Sequence, residues 1–126
     1  MGEEIRRVPS TDRETAAHGW TFLSNYAHVL VCLARDPDIT LRELAEHVGV
    51  TERAVHRIVG ELSAVGVVAK EREGRRNHYT LCLDANLRHP LEEGKTVGDL
   101  LSGLLSRSEM ARLHARIRAA RKATSA

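Results

Sequence analysis

Aromatic residues and long apolar runs are scarce in this chain of 126 residues, and each scarcity excludes something. Its aromatic side chains are one Trp, one Phe and two Tyr, so any core must be built from Leu, Val, Ile and Ala. The longest uninterrupted apolar stretch is Val29–Ala34, far short of the roughly 20 residues that a membrane-spanning helix needs. We therefore expect no membrane segment. No basic-then-apolar leader is visible either, so we expect no secretory signal.

Cysteine is scarce as well, and the pattern of Cys and His excludes two further classes of protein. Cys32 and Cys82 each lie in an apolar pattern, which favours small core residues in a reduced, cytoplasmic protein over a disulfide framework or a redox switch. The seven His are scattered, and no two of them lie at zinc-ligand spacing from each other. We expect no metal site, no cofactor and, because no catalytic motif appears, no enzymatic activity.

The chain also has little net charge: 19 Lys and Arg against 17 Asp and Glu give +2, with a pI of about 8.8. A pI above about 9 is typical of a nucleic-acid-binding domain, so the total alone argues weakly against that role. The distribution changes this interpretation. Residues 107–122 hold six basic and one acidic side chain and residues 51–83 hold six and four, while the remainder holds seven and twelve.

Two amphipathic helices are predicted in the first half of the chain. The first covers about residues 25–35, because apolar residues recur there at helical spacing and the Asp36-Pro37 step ends the run. The second covers about residues 41–47. It follows the capping-box pattern of Thr40–Glu43, and Gly49 is a suitable stop signal.

A third helix and a hairpin follow directly. The third helix covers about residues 51–65, capped by its first residue and stopped by Gly66. Residues 67–70 and 78–83 favour two short strands, and the charged segment 71–77 between them contains a turn glycine.

Further helices are predicted at the C-terminal end. Thr96–Asp99 and Ser106–Glu109 are both cap patterns that precede leucine-rich segments. We therefore expect a mainly α fold with a small β-hairpin and additional C-terminal helices. The chain divides into a flexible N-terminal arm (1–19), a central domain (20–90) and a C-terminal helical segment (91–126).

The order of helix, four-residue break, helix and charged hairpin resembles the winged helix-turn-helix transcription regulators of bacteria, most closely the MarR and ArsR families. The resemblance covers roughly Asn25–Leu83. Members of these families place apolar, small and turn residues at fixed spacing through the two helices. The matching positions here are Leu41, Leu44, Ala45, Val48, Gly49, Thr51, Val55, Arg57, Leu62 and Gly66.

The resemblance implies double-stranded DNA as partner, with the third helix as the recognition helix in the major groove and the hairpin as a wing on the backbone or the minor groove. An Arg could bind guanine bidentately and Glu52 could accept from cytosine N4. We expect Arg57→Ala to weaken binding strongly and Glu61→Ala to matter little. The candidate DNA-binding residues are Thr51, Glu52, Arg53, His56, Arg57, Arg72, Arg75, Arg76 and Asn77.

The resemblance also implies a homodimer on a pseudo-palindromic operator, joined by the flanking helices. A single small domain is not expected to bury all the C-terminal apolar residues, which favours an interface role for them. The candidates are Leu100, Leu101, Leu104, Leu105, Met110, Leu113 and Ile117. A small-molecule effector is compatible with this scheme, and its pocket would lie between the first helix, Trp20, Phe22 and the C-terminal helices.

Other interpretations of the same residues remain open. The outward charges of the third helix could form an ordinary solvated face, and the wing arginines could be a solubilising loop tip. The whole unit could also be a winged-helix module for protein–protein interaction that does not read DNA. Salt dependence distinguishes these interpretations, because log affinity for DNA falls linearly with log salt.

Overall fold

The computed structural model describes residues 19–125, and the part of the chain so described forms five α-helices and one antiparallel hairpin. The arm predicted over residues 1–19 lies, apart from Gly19, outside the described residues. The elements are α1 (Asn25–Arg35), α2 (Leu41–Val48), α3 (Glu52–Ala64), β1 (Val68–Glu73), β2 (Arg76–Leu81), a short 3-10 helix (Pro90–Glu92), α4 (Val97–Ser102) and α5 (Arg107–Ser125). The predicted mainly α fold with a small hairpin is confirmed.

Side-chain caps fix where the second and third helices begin. Thr40 and Glu43 form the predicted capping box, in which each side chain accepts from the other residue's amide at 3.1 Å. The Thr51 hydroxyl accepts from the amide of Ala54 at 3.0 Å and starts α3. Such caps satisfy helix N–H groups that otherwise have no partner.

The turn between α2 and α3 depends on one glycine and one carbonyl. Gly49 lies in the left-handed region with φ 88° and ψ 32°, which L-residues other than glycine adopt only at a cost. The amides of Gly49 and Val50 both donate to the carbonyl of Ala45, at 2.8 and 3.1 Å. The chain therefore leaves α2 and enters α3 within three residues, and the two helices stay packed against each other.

The hairpin is longer and its turn tighter than the sequence indicated. The strands were predicted to end at Lys70 and to resume at His78, but β1 runs to Glu73 and β2 starts at Arg76. The two residues between the strands, Gly74 and Arg75, form the turn, and Gly74 has φ 65°. Glycine with positive φ at the first central position is the pattern of a type II′ hairpin turn.

The apolar core extends from α1 to α5 without a break. Val29, Leu33, Leu44 and Val55 are almost completely buried, and Leu101 of α4 belongs to the same cluster. The chain buries some, but not all, of the C-terminal apolar residues that were predicted to lie in an interface. Leu101, Leu105 and Leu113 are buried inside this one chain; Leu100, Met110 and Ile117 are half-buried, and Leu104 is exposed.

The segment between β2 and α4 closes on itself and ties α4 to the hairpin. Leu87 donates to the carbonyl of Lys95 at 2.9 Å, and Val97 donates to the carbonyl of Ala85 at 2.9 Å. Gly98 donates to the carbonyl of Leu83, and a Cβ on this glycine would lie only 3.2 Å from the Leu83 side chain. This close approach places α4 directly against the base of the hairpin.

Within residues 19–125, no helix is long and apolar enough to cross a membrane. In the same part of the chain, no cluster of three or more His, Cys, Asp or Glu side chains is placed to hold a metal ion.

Candidate nucleic-acid interface

Helix α3 presents one buried and one polar face. Its buried face consists of Val55, Ile58, Val59 and Leu62. The exposed positions are Glu52, Arg53, His56, Arg57, Gly60 and Glu61. The predicted recognition residues of this helix therefore lie on its solvent side, in the arrangement that amphipathic spacing dictates.

The two arginines of this face are in different situations. Arg53 has no ion-pair partner among the described residues. Arg57 Nη1 lies 3.5 Å from Glu61 Oε1 and donates to the hydroxyl of Tyr26 at 3.4 Å. The same Tyr26 hydroxyl donates to Glu61 Oε1, which connects α1 to α3. Glu61 is thus a partner of Arg57. The expectation that Glu61→Ala matters little for DNA binding did not take this contact into account, and it stays a prediction.

The wing, which comprises β1, its turn and β2, separates its charges onto two faces. Residues 70–73 read Lys-Glu-Arg-Glu, and successive side chains on a strand point to opposite faces. The cross-strand pairs place Lys70 beside Tyr79 and Arg72 beside Asn77. We call this the core-side row, because its members nearest the fold, Val68, Tyr79 and Leu81, are buried.

The opposite face, the outer row, carries the acidic residues of the wing. Glu73 pairs with Arg76 and Glu71 pairs with His78 in the strand register. Opposite charges placed directly across a pair of strands attract each other. The Glu73 carboxylate therefore lies opposite a cation, Arg76. Both wing carboxylates are on the outer row, whereas Lys70 and Arg72 lie on the core-side row.

A groove opens between α3 and the core-side row; we call it the wing groove. It has a volume of about 820 Å³, and its walls include His56 and Gly60 from α3 and Lys70 and Asn77 from the wing. The Oδ1 atom of Asn77 is buried and has no hydrogen-bond partner among the described residues. Burial also raises the pKa of the Tyr79 phenol at the floor of this groove, so the hydroxyl stays protonated.

Contacts with the segment before α2 hold the wing in place. His78 Nδ1 lies 2.8 Å from Asp38 Oδ1, and the amide of Tyr79 donates to the carbonyl of Pro37 at 2.9 Å. Arg72 folds back on the turn and donates from Nε to the carbonyl of Gly74 at 3.3 Å. The base of the wing is thereby fixed relative to α2 and α3.

Residues 28–69 match a family model described as winged helix-turn-helix DNA-binding. The chain carries a winged helix-turn-helix. The match takes in most of α1, all of α2 and α3 and the first residues of β1, so the resemblance stated from the sequence is confirmed over the helices.

Solved structures similar to this winged helix-turn-helix include three bacterial proteins. A MarR family protein of Mycobacterium tuberculosis in complex with salicylic acid is 22% identical over 88% of this chain and 73% of that one, with a TM-score of 0.43. MepR, which regulates the Staphylococcus aureus multidrug efflux pump MepA, is 14% identical over 91% and 87%, with a TM-score of 0.44. The Streptomyces coelicolor regulator PcaV with its natural ligand is 21% identical over 95% and 96%, with a TM-score of 0.41. No curated protein matches the sequence.

Two features of this winged helix-turn-helix were missed by the sequence analysis. Lys70 belongs to the wing groove, but the predicted strand ended there and it was left out of the candidate site. The alternating Lys-Glu-Arg-Glu run was the available signal, because a period of two indicates a continuing strand. The contact between Tyr26 and Glu61 joins residues 35 apart and leaves no local signal in the sequence.

Proposed function

We propose that this chain is a cytoplasmic, homodimeric, sequence-specific DNA-binding transcription regulator and has no enzymatic activity. In this proposal α3 enters the major groove of double-stranded DNA, and the wing contacts the backbone or the adjacent minor groove. The wing groove carries the proposal, because there the polar face of α3 meets the cationic row of the wing.

The chemistry of the α3 face supports direct contact with bases. Arg53 is exposed on the first turn, at the end of the helix that enters the major groove in this docking mode. Its guanidinium can donate two hydrogen bonds to O6 and N7 of one guanine, a pairing that distinguishes bases by about 1–3 kcal/mol. Glu52 beside it can accept from cytosine N4, while the Thr51 hydroxyl is already used as the helix cap.

The sorted charges of the wing support contact with phosphates. Lys70 and Arg72 share one face, and Arg75 is exposed at the tip, so three cations can meet a backbone without an intervening carboxylate. Arg76 lies on the outer row opposite Glu73, so we assign it a smaller share of the binding. Phosphate contacts of this kind position the protein and make its affinity strongly dependent on salt.

The exposed apolar residues support the homodimer part of the proposal. Phe22 and Leu91 are each 91% exposed, and Trp20 and Leu104 are also exposed. Trp20 and Phe22 contact each other edge to face, with ring centroids 4.9 Å apart. Large exposed apolar side chains are typical of interaction sites. Buried Leu101, Leu105 and Leu113 then support the interface from within, and Leu104 is the C-terminal leucine best placed to contact a partner copy.

Selection of bound sequences from a random duplex pool, followed by footprinting of the selected sequence, tests this proposal. A dimer with one α3 per half-site should select a pseudo-palindrome with half-sites about 34–36 Å apart. Sedimentation of the free protein reports the oligomeric state independently. Selection of an asymmetric DNA sequence, or sedimentation as a monomer at micromolar concentration, would overturn only the dimer part of the proposal.

Salt titrations of matched variants test the assignment of the faces. Lys70→Ala and Arg72→Ala should each lower the slope of log affinity against log salt by about 0.9, the loss of one phosphate contact. Glu71→Ala on the outer row should not lower it, and Arg107→Ala, an exposed cation on α5, is the charge-matched control. Absence of DNA binding, or binding insensitive to salt, would favour the protein–protein interaction module instead.

A second groove supports a small-molecule effector as an additional part of the proposal. It lies between α1 and residues 86–100, has a volume of about 900 Å³, and is lined mainly by apolar side chains that include Phe22, Tyr26, Leu30 and Leu100. We call it the α1 groove. Pockets of this size and character hold small ligands in many proteins. A thermal-shift screen of small amphipathic compounds tests this part of the proposal. Leu100→Phe, at a half-buried position in the groove wall, should narrow the groove and abolish the shift produced by any compound that binds there.

A further inference from the structure

The environment of Arg57 differs from that of the other cations of the candidate interface. Its Nη1 atom lies 3.5 Å from Glu61 Oε1 and 3.4 Å from Tyr26 Oη. Tyr26 Oη in turn donates to Glu61 Oε1, so the carboxylate oxygen and the phenol hydroxyl hold the guanidinium between them. The three side chains come from two helices, since Tyr26 belongs to α1.

An exposed Arg–Glu pair one helical turn apart would not by itself fix Arg57. Such exposed pairs contribute little to helix or protein stability. The order in this helix, with the cation before the anion, is also the less favourable one. Helix α2 carries an internal comparison, because Arg42 and Glu46 have the same spacing and order. There the Nε–Oε2 distance is 3.9 Å, and no third side chain joins the pair among the described residues. The hydroxyl from α1 is what distinguishes Arg57.

The position of the three groups gives this contact a consequence for DNA binding. Arg57 belongs to the exposed face of α3, whereas Tyr26 and Glu61 both line the α1 groove on the flank of the helix. A guanidinium bound to Glu61 and Tyr26 points along that flank. A phosphate or a guanine therefore competes with the Glu61 carboxylate and the Tyr26 hydroxyl for this guanidinium.

We propose that Tyr26 and Glu61 are positioning residues that hold Arg57 back from DNA until a correctly placed acceptor replaces Glu61. This inference rests on the proposed function. Random-sequence DNA then receives less help from Arg57, because any contact with it competes with the contacts to Glu61 and Tyr26. A cognate site, which offers a better-placed acceptor, gains the full contact, so the network raises the ratio of specific to non-specific affinity.

Removal of the phenol hydroxyl is the central test, because it alters no charge. Tyr26→Phe should raise affinity for a random-sequence duplex about three helical turns long by severalfold, and should steepen the salt slope by up to about 0.9. Glu61→Gln should act in the same direction, and Glu46→Gln is its charge-matched control on α2. The effect of Tyr26→Phe should vanish when Arg57→Ala is already present, because this positioning residue acts through that guanidinium.

A measurement without DNA tests the network itself. Side-chain Nε relaxation by NMR should show Arg57 more ordered than Arg42 in the unmodified protein, with the difference lost in Tyr26→Phe. Thermal unfolding of each variant checks that these exposed changes leave the fold intact.

The outcomes separate the inference from the proposed function. If the unmodified protein does not bind DNA, the proposed function is overturned, and with it the proposal that a DNA acceptor replaces Glu61 beside Arg57. Salt-dependent DNA binding with Arg57 as mobile as Arg42, or with Tyr26→Phe indistinguishable from the unmodified protein, overturns the positioning role alone. An effect of Tyr26→Phe that persists beside Arg57→Ala also overturns it.

Discussion

The guanidinium of Arg116 on α5 donates to the backbone carbonyl of Ala34 in the last turn of α1. Carbonyls at the end of a helix have no partner within the helix, so this contact both satisfies one of them and docks α5. Burial, together with the neighbouring Arg112, lowers the pKa of Arg116, while Asp36 and Asp38 act in the opposite direction. A second link, between Arg35 and Glu109 at 3.2 Å, joins the same two helices.

We expect Arg116→Ala to lower the free energy of unfolding by about 1–3 kcal/mol, because it leaves a partly buried carbonyl without its charged donor. Urea unfolding followed by circular dichroism measures the change. Arg118→Ala, two residues further along α5 and exposed, is the control and should stay within about 0.5 kcal/mol. Equal effects of the two variants would contradict the docking role of Arg116.

Leu101 and Leu104 should respond oppositely to truncation, although they were predicted to share one role. Leu101 is completely buried, so Leu101→Ala should cost about 2–5 kcal/mol of unfolding free energy by creating a cavity. Leu104 is 37% exposed, and Leu104→Ala should leave unfolding less affected while weakening self-association. Chemical denaturation and sedimentation of both variants measure the two quantities separately. A small loss of stability in Leu101→Ala would contradict the continuous core.

Stability should fall in mild acid because the caps of three α-helices use carboxylates. Hydrogen bonds from the backbone amides of Thr40, Thr96 and Ser106 lower the pKa values of Glu43, Asp99 and Glu109 respectively. A lowered folded-state pKa means that the unfolded chain binds more protons in this range. The contribution is therefore complete well above the ordinary pKa values of 4.5 for Glu and 3.8 for Asp, and is lost as pH falls through the folded-state values.

The combined variant Glu43→Gln, Asp99→Asn and Glu109→Gln measures this acid dependence directly. Its unfolding free energy should change less with pH below about 4.5 than that of the unmodified protein. Glu71→Gln removes one carboxylate outside any helix cap. Its unfolding free energy should therefore depend on pH in acid much as that of the unmodified protein does. If the unfolding free energy of the combined variant fell in acid as steeply as that of the unmodified protein, the caps would not be the cause of the acid dependence.

Gly60 lies in the middle of α3, and no packing contact within the chain requires a glycine there. A Cβ at this position would meet nothing within 4 Å, and glycine in a helix interior costs roughly 0.5–1 kcal/mol relative to alanine. Gly60→Ala should therefore stabilise the protein by about that amount in thermal unfolding. Because Gly60 lines the wing groove, the same change should weaken DNA binding if a backbone approaches there. Unchanged binding would place the DNA farther from this turn of α3.

Local patterns predicted most of the helices correctly, and the reasons are themselves local. The first helix was predicted over residues 25–35 and is found there, because Ser24 caps it and Pro37 follows its end. The capping boxes at Thr96 and Ser106 also form as predicted, since each needs only residues three apart.

The errors concern relations that no short segment contains. Residues 71–73 and 76–77 appeared to be a loop because they are charged, yet the tight turn at Gly74 lets both strands continue. The burial of Leu101 depends on α4 packing beneath the base of the hairpin, which the Gly98–Leu83 contact sets. Pairing of Arg57 with Tyr26 likewise depends on how α1 crosses α3.

The position of a charged residue along a wing strand decides which of the two rows its side chain joins. Successive side chains on a strand face opposite sides. One extra residue in β1 before Lys70 would therefore move Glu71 and Glu73 to the core-side row and turn Lys70 and Arg72 outward. Two extra residues would restore the pattern on a longer wing. A single-residue insertion would thus invert the sign of the surface that the hairpin offers without replacing any of its charged residues.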